Sequence, residues 1–272
     1  MWDILILNPM IAVLMGIYRP FSNLVGGFGI AIILFTVIMR LVTAPLTAKQ
    51  MKSTQAMQEF QKSKKWQDIQ AKYKNDKQKL QQEQMKLYKE MGINPFGSCL
   101  PLLIQFPIII GLYQSIIQAL ATTPIKMTAF FHHVSPPVLT DIYRSIYNVL
   151  DLGQLLPINS TFLWMDLTQP ERLYIMGFGI PVMAIIVVIT TYMQSKLMTP
   201  PSQPGDQGAQ MSQAMNLYMP FLMGYFALTF ASGLALYFIT TNVVSIVQYA
   251  MMGKVNWRNL LPTRKVSARK SE

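Results

Sequence analysis

Charged side chains are scarce in this sequence, and acidic ones are the scarcest. Only 13% of the 272 residues are charged, with 12 Asp and Glu against 23 Lys and Arg. A soluble domain is roughly a quarter charged, whereas 51% of this chain is hydrophobic. The few charges also fall in blocks between long uncharged runs. The composition therefore excludes an ordinary soluble domain and predicts an integral membrane protein.

The residues of familiar catalytic sites are missing as well. The single Cys99 cannot form an intramolecular disulfide. The predicted spans contain no Asp, Glu or His, so they offer neither a carboxylate pair nor a general base. His132 and His133 point in different directions and have no third ligand near them in sequence, which favours surface residues over a metal site. We predict a protein that is not an enzyme and uses no cofactor or metal.

Long hydrophobic runs are what the sequence has in abundance. A helix needs roughly 20 apolar residues to cross a bilayer. The run 215–253 has no charge and is too long for one span, so we divide it at Ser232-Gly233. The sequence predicts an all-α membrane protein with five transmembrane helices, at residues 28–48, 99–120, 173–195, 215–231 and 234–252.

The basic residues predict the orientation of these spans. With five spans, 18 of the 23 basic residues fall on one side and 4 on the other. The basic side is normally cytoplasmic, so we place the N terminus outside and the C terminus inside. The connecting segments are then an interfacial helical segment at 1–27, a cytoplasmic helical hairpin at 49–98, an extracytoplasmic loop at 121–172, a cytoplasmic loop at 196–214 and a basic cytoplasmic tail at 253–272.

The hairpin is predicted to have two helical arms, at 47–73 and 77–91. Asn75-Asp76 is the turn signal, and Asp76 can cap the second arm. Sparse apolar residues suffice for one seam between the arms. Its basic residues have two interpretations, a solvated face beside anionic lipid or a docking surface for a ribosome or targeting factor. The docking candidates are Lys62, Lys64, Lys65, Lys72, Lys74, Lys77 and Lys79.

Arg40 is the only charged residue in the five predicted spans. It lies about 13 Å from Lys49 at a rise of 1.5 Å per residue, and a central arginine costs about 2.5–3.5 kcal/mol on insertion scales. Snorkelling of the long side chain towards the cytoplasm is one interpretation. The other is a hydrated cavity that accepts an anionic guest, because Thr36 and Thr43 lie at helical spacing from Arg40.

Five segments in order resemble the YidC/Oxa/Alb family of membrane protein insertases. They are "TVIMRLVTAPLTAKQ", "YKNDKQKLQQEQMKLYKEMGINPFGSCLPLLIQFPIIIGLYQSI", "FLWMDL", "PERLYIMGFGIPVMAIIVVITTYMQSKL" and "MNLYMPFLMGYFALTFASGLALYFITTNVVSIVQ". The resemblance covers about residues 28–252. No large extracytoplasmic domain precedes this region, so the expected type is the bacterial form without that domain, in the plasma membrane.

The resemblance implies a positively charged groove that opens to the cytoplasm and holds the hydrophilic tail of a short membrane protein while its hydrophobic helix enters lipid. The positions carried over to this chain are Arg40, Thr36, Gln105, Gln194, Phe238 and Asn242. At 238, relatives often have Trp or Tyr, so one groove donor is missing here.

The resemblance also implies the partners. They are nascent single- or double-span proteins with acidic N-tails and membrane lipid, with the ribosome, the signal recognition particle and its receptor, and the Sec translocon as further candidates; no specific nucleic acid is expected. A lipid scramblase and a non-inserting chaperone of the Sec translocon are the alternative functions, since a hydrated groove could also pass headgroups or only hold helices.

Overall fold

A computed structural model describes residues 6–73, 76–92, 100–119, 158–198 and 207–253. The helices are α1 (Asn8–Tyr18), a 3-10 turn (Arg19–Phe21), α2 (Gly27–Lys62), α3 (Lys64–Lys72), α4 (Lys77–Glu90), α5 (Leu100–Ala119), α6 (Val182–Met198), α7 (Gln207–Thr229) and α8 (Ser232–Met251). Four short strands, β1 (Thr161–Phe162), β2 (Met165–Asp166), β3 (Leu173–Ile175) and β4 (Phe178–Ile180), form two antiparallel hairpins. The protein is mostly helical as predicted, but the all-α prediction missed these strands.

Two of the described helices are long and apolar enough to cross a membrane. They are the Gly27–Ala48 part of α2 and the whole of α8. Three shorter apolar helices, Gln105–Ile117, Val182–Met198 and Leu217–Thr229, overlap the other predicted spans. Each of the five predicted spans thus contains an apolar helix, but only two of the described helices have full spanning length, and the arrangement of five spans stays a prediction.

The described residues divide into two compact units. The first consists of Met1–Gly27 with Ile38–Asn159, and the second of Phe28–Val37 with Ser160–Glu272. The helix α2 contributes to both, with Phe28–Val37 in the second unit and the rest in the first.

In the first unit, α1 packs against α5. The large side chains that α1 buries recur at helical spacing, and they continue the position of buried Leu7 just before the helix: Ile11, Leu14, Met15 and Tyr18. On the facing helix, a Cβ at Gly111 would lie 2.8 Å from the Met10 sulfur. Gly111 is therefore a position where the two helices pack closely. The interfacial position of this segment in a membrane stays a prediction.

The hairpin in the first unit has its predicted turn and seam but a different first arm. Asp76 caps α4 by accepting the Lys79 N–H at 3.0 Å, as expected. The predicted arm at 47–73 is wrong as a single helix, because Ser63 is extended and its hydroxyl caps α3. The seam is a buried cluster of Phe60, Trp66, Leu80, Leu87 and Tyr88.

In the second unit, α6 packs against both α7 and α8. The long run is divided as predicted, but at Phe230-Ala231 instead of Ser232-Gly233, since α7 ends at Thr229 and α8 begins at Ser232. The first two N–H groups of α8, those of Ser232 and Gly233, donate to the carbonyls of Gln169 and Leu167 at 2.8 and 3.2 Å. The segment between the two β-hairpins thus accepts hydrogen bonds from two of the N–H groups at the start of α8 that have no partner within the helix.

Two predicted helix boundaries need correction. The third span was predicted to begin at residue 173, but 173–180 form the β3–β4 hairpin and α6 begins at Val182. The reason is the Met176-Gly177 connection, which reverses the chain, and Pro181, which has no N–H to donate and suits a helix start. The fourth helix begins at Gln207 rather than 215, inside the predicted loop 196–214.

Candidate functional site

The first predicted groove residues, Thr36 and Arg40, lie on α2. The threonine hydroxyls on this helix donate to carbonyl groups of the helix itself. Thr36 is 0% exposed, and its hydroxyl donates to the Ile32 carbonyl at 2.6 Å. Arg40 follows one turn later and is half-buried. The Thr43 hydroxyl donates to the Met39 carbonyl at 2.9 Å. The threonines therefore remove polarity from the helix surface, and Arg40 is the only charge in the apolar stretch Gly27–Ala48.

Asn242 forms a polar link between α8 and α6. It is 6% exposed, and its side-chain amide donates to the hydroxyls of Thr190 at 3.0 Å and Thr191 at 2.9 Å. The Thr190 hydroxyl itself donates to the Ile186 carbonyl at 2.8 Å. Gln194 lies one turn further along α6 and is half-buried. In this structure the Asn242 amide is occupied in helix packing.

Phe238 and Gln105 differ in their surroundings. Phe238 lies one turn before Asn242 on α8, is 4% exposed, and has its ring centroid 5.8 Å from that of Tyr237. Gln105 is half-buried on α5. Of the six predicted groove residues, Arg40 and Gln105 belong to the first unit and the other four to the second. Three of the six are half-buried and three are buried.

The predicted docking lysines lie on the hairpin surface where their side chains are described. Lys64, Lys65, Lys72 and Lys79 are exposed. Lys72 lies over the Tyr73 ring, 5.5 Å from its centroid, and Lys79 lies 3.7 Å from the Asp76 carboxylate. Lys64 and Lys65 lie at the start of α3, the helix that ends at Lys72. The side chains of Lys62, Lys74 and Lys77 lie outside the described residues.

Sequence reasoning missed a buried carboxylate. Glu171 is 8% exposed and accepts hydrogen bonds from the Trp164 indole N–H at 2.9 Å and from the Met183 backbone N–H at 3.0 Å. One oxygen thus holds the β1–β2 turn, and the other holds the first turn of α6. An acidic residue near a helix N-terminus is a recognised signal. Here the β3–β4 hairpin separates Glu171 from α6 in sequence, so the signal is hidden.

Asp166 is the second acidic residue of this region. Its carboxylate accepts the Thr168 N–H at 3.0 Å and the Thr168 hydroxyl at 2.8 Å. Burial by itself raises the pKa of Asp166, but hydrogen bonds from Thr168 and Ser160 outweigh it, so the net pKa is below its ordinary value. Its backbone carbonyl accepts the Ser232 hydroxyl at 2.7 Å. Asp166 thus stabilises the segment that caps α8.

The described residues contain no group of three His, Cys, Asp or Glu side chains that could hold a metal ion. His132 and His133 lie outside the described residues. The expectation that the protein needs no cofactor stays a prediction.

These features define a class: a helical membrane protein with one fixed positive charge in an apolar helix and a basic helical hairpin. The chain belongs to the 60Kd inner membrane protein family, whose model matches residues 20–258. The predicted family is thereby confirmed.

Its relatives carry an insertase name. The chain is 30% identical over 260 residues to the membrane protein insertase YidC of Oceanobacillus iheyensis, covering 93% of this chain and 84% of the relative. It is 34% identical over 234 residues to the YidC of Clostridium tetani, covering 85% and 84%. An active YidC insertase crystal structure, with its first transmembrane domain resolved, matches with a TM-score of 0.53 and 27% identity. That match covers 89% of this chain but only 46% of the solved chain.

Proposed function

We propose that this chain is a membrane protein insertase in which Arg40 attracts the acidic tail of a substrate into a positively charged groove within the membrane. The observation that carries the proposal is a half-buried arginine on an apolar helix stretch that has no other charge. The names of the relatives support the general activity.

The physical argument concerns the desolvation of the tail. A carboxylate that leaves water for a membrane meets a large desolvation cost. A guanidinium at about 4 Å returns roughly 4 kcal/mol at an effective dielectric constant near 20. The barrier falls without the making or breaking of a covalent bond. The apolar part of the substrate then partitions into lipid on its own hydrophobicity.

We assign the other predicted groove residues by their burial. Gln105 and Gln194 are half-buried and are candidate polar contacts for a substrate. Thr36 and Asn242 have their donors bonded to protein acceptors, and Phe238 is packed beside Tyr237. For these three we propose a role in helix packing.

The test is insertion into liposomes that contain only the purified protein. The substrates are a single-span protein with an acidic N-tail and a matched version with Asn and Gln in that tail. Arg40→Lys should keep most activity, because the charge is kept, whereas Arg40→Ala should lose insertion of the acidic-tailed substrate selectively. Arg19→Ala, which removes an exposed positive charge elsewhere, is the control and should have no effect.

The same liposomes distinguish the alternative functions. Equal insertion of both substrates by Arg40→Ala would show that Arg40 is only a snorkelling anchor. Flip of fluorescent lipid without insertion would support a scramblase and contradict the proposal. Binding of substrate without insertion, relieved only by added Sec translocon, would support the chaperone.

We also propose that the exposed lysines of the hairpin form a docking surface. Replacing Lys64, Lys65, Lys72 and Lys79 by Gln should weaken binding to translating ribosomes or to the signal recognition particle and its receptor. Loss of binding to anionic vesicles alone would favour the lipid-facing interpretation. Met85→Ala, at an exposed position of α4, is the control for hairpin folding.

A further inference from the structure

Two hairpin connections in the second unit have the same unusual backbone. Leu163, in the β1–β2 connection, has φ of 55°, and Met176, in the β3–β4 connection, has φ of 52°. Among the described residues these are the only ones other than glycine with positive φ. Each is the first residue of a two-residue connection. The structure therefore holds a left-handed residue at each tip.

The residue types at these tips do not suit the backbone. Left-handed positions of short hairpins favour Asn, Asp or Gly, and other side chains cost about 1–2 kcal/mol there. Leu163 is nevertheless 72% exposed and Met176 is 96% exposed. The tips thus carry backbone strain and exposed apolar surface together, and strain that persists in this way is typical of a functional position.

The apolar surface continues down the β3–β4 hairpin. Phe178 is 77% exposed, and Ile180 lies two residues further along the same strand on the same face. On the opposite face, the Tyr174 ring and the Arg172 stem cover Gly179, whose missing Cβ would lie 3.2 Å from that ring. The described side chains of this face, Leu173, Phe178 and Ile180, are therefore all apolar.

The position of the hairpin indicates what this face contacts. Only Pro181 separates β4 from the membrane helix α6, so the tip at Gly177 lies within about 17 Å of the helix start at 3.3 Å per residue. On α6, Ile185 and Ile189 are exposed on one face, as lipid-facing residues are. The apolar face of the hairpin is thus next in sequence to a lipid-facing helix. Trp164, Tyr174 and Arg172 are of the types that favour the headgroup region.

Hydrogen bonds tie the β1–β2 hairpin to the two helices. The Glu171 carboxylate joins the Trp164 indole to the first turn of α6. The Asp166 carbonyl accepts the Ser232 hydroxyl at the start of α8. The Leu163-Trp164 turn is therefore held to α6 and α8, while Met176-Gly177 is joined to α6 through β4 and Pro181.

We propose that these two turns, Leu163-Trp164 and Met176-Gly177, together form a membrane anchor that enters the lipid leaflet at the N-terminal end of α6. Both tips reach roughly 5–10 Å into the boundary between headgroups and acyl chains, the usual depth of interfacial anchors. The ligand is lipid itself, and the anchor needs no insertase substrate.

The test uses the full chain in vesicles of phosphatidylethanolamine and phosphatidylglycerol. In a Cys99→Ser background, Met176→Cys or Leu163→Cys is labelled with an environment-sensitive fluorophore. Gln169→Cys, an exposed position in the same region, is the control. Both tip labels should emit at shorter wavelength than the control, should be quenched by nitroxides near the headgroups, and should be several-fold less quenched by aqueous iodide.

A second pair of variants separates polarity from side-chain size. With the label at Phe178→Cys, Met176→Leu should keep the lipid signal, while Met176→Asn, which suits the turn better in water, should lose most of it. Iodide quenching of the tip labels equal to that of Gln169→Cys would overturn the proposal. So would protection that arises only in native membranes, because it would identify a protein partner.

Discussion

Asn242 shows at the residue scale how a polar side chain predicted to contact substrate is used inside the protein. Its amide donates to Thr190 and Thr191, and it is buried. The sequence indicates that Asn242 is a polar residue in an apolar helix, which fits a groove and a helix contact equally well. The partner hydroxyls are more than 50 residues away in the chain, so only the fold distinguishes the two.

Asn242→Ala should lower the free energy of unfolding by about 1 kcal/mol, because hydrogen bonds between membrane helices average about 0.6 kcal/mol and two are lost. The measurement is unfolding in mixed micelles, arranged as a double-mutant cycle with Thr191→Val. The two changes should be less than additive. Val243→Ala, at an exposed neighbour, is the control. Full additivity of the two changes would contradict the proposed packing role.

The hydrogen bonds of Asp166 predict a pH dependence of stability. Because the folded pKa lies below its ordinary value of 3.8, the ionised form stabilises the fold above that value. The contribution is lost as pH falls through the lower folded pKa. Asp166→Asn should therefore reduce the melting temperature at neutral pH, by the equivalent of about 1 kcal/mol or less, and the difference from wild type should shrink in acid. A constant difference at every pH would refute this, and Asp68→Asn is the control.

At the element scale, the contact between α6 and α7 depends on a missing side chain. A Cβ at Gly224 would lie 2.4 Å from a Val188 methyl group, and Val188 is β-branched and cannot turn aside easily. Small residues allow membrane helices to approach closely in this way. Gly224 is therefore a packing position in an apolar segment.

Gly224→Ala should destabilise the protein by about 1–3 kcal/mol through overpacking. Val188→Ala in the same chain makes room for the added methyl group and should restore part of the loss. Thermal unfolding of the two single variants and the double variant in detergent measures the effect. If the double variant were no more stable than the sum of the single variants predicts, the contact would not be the cause.

The β3–β4 hairpin shows why an element was misjudged from sequence. Residues 173–195 are uncharged and pass an apolar span test, which cannot distinguish a strand from a helix. Met176-Gly177 between two short apolar runs is a hairpin signal, but Met at the first turn position weakens it. The helix break next to Ser232 and the cap of α4 by Asp76 could be predicted from the sequence, because each has a local residue signature.

At the scale of the whole molecule, the unequal distribution of basic residues predicts the topology. The hairpin and the tail are basic and should lie in the cytoplasm, with the 158–181 segment outside. Apolar helices separate these segments in the chain. The prediction can be tested without knowledge of any substrate.

In membrane vesicles of known orientation, Lys65→Cys and an epitope after Glu272 should be accessible from the cytoplasmic side only. Gln169→Cys should be accessible from the other side only. A membrane-impermeant thiol reagent and external protease measure this, again in the Cys99→Ser background. If Lys65→Cys and Gln169→Cys reacted from the same side, the predicted second span between them would be wrong. If the C-terminal epitope and Gln169→Cys were accessible from the same side, the chain could not cross the membrane an odd number of times after residue 169, as the three predicted spans require.

The sequence alone determined the class of the protein, the presence of an apolar helix in each predicted span, the hairpin turn and the family, because each depends on composition or on residues that are close in the chain. The tertiary structure decided the roles of Glu171, Ser232 and Asn242. Their partners lie 12, 66 and about 50 residues away along the chain. It also decided that Thr36 is buried and that Leu163 and Met176 are exposed. Burial and long-range hydrogen bonds depend on which elements meet, and no local periodicity encodes that.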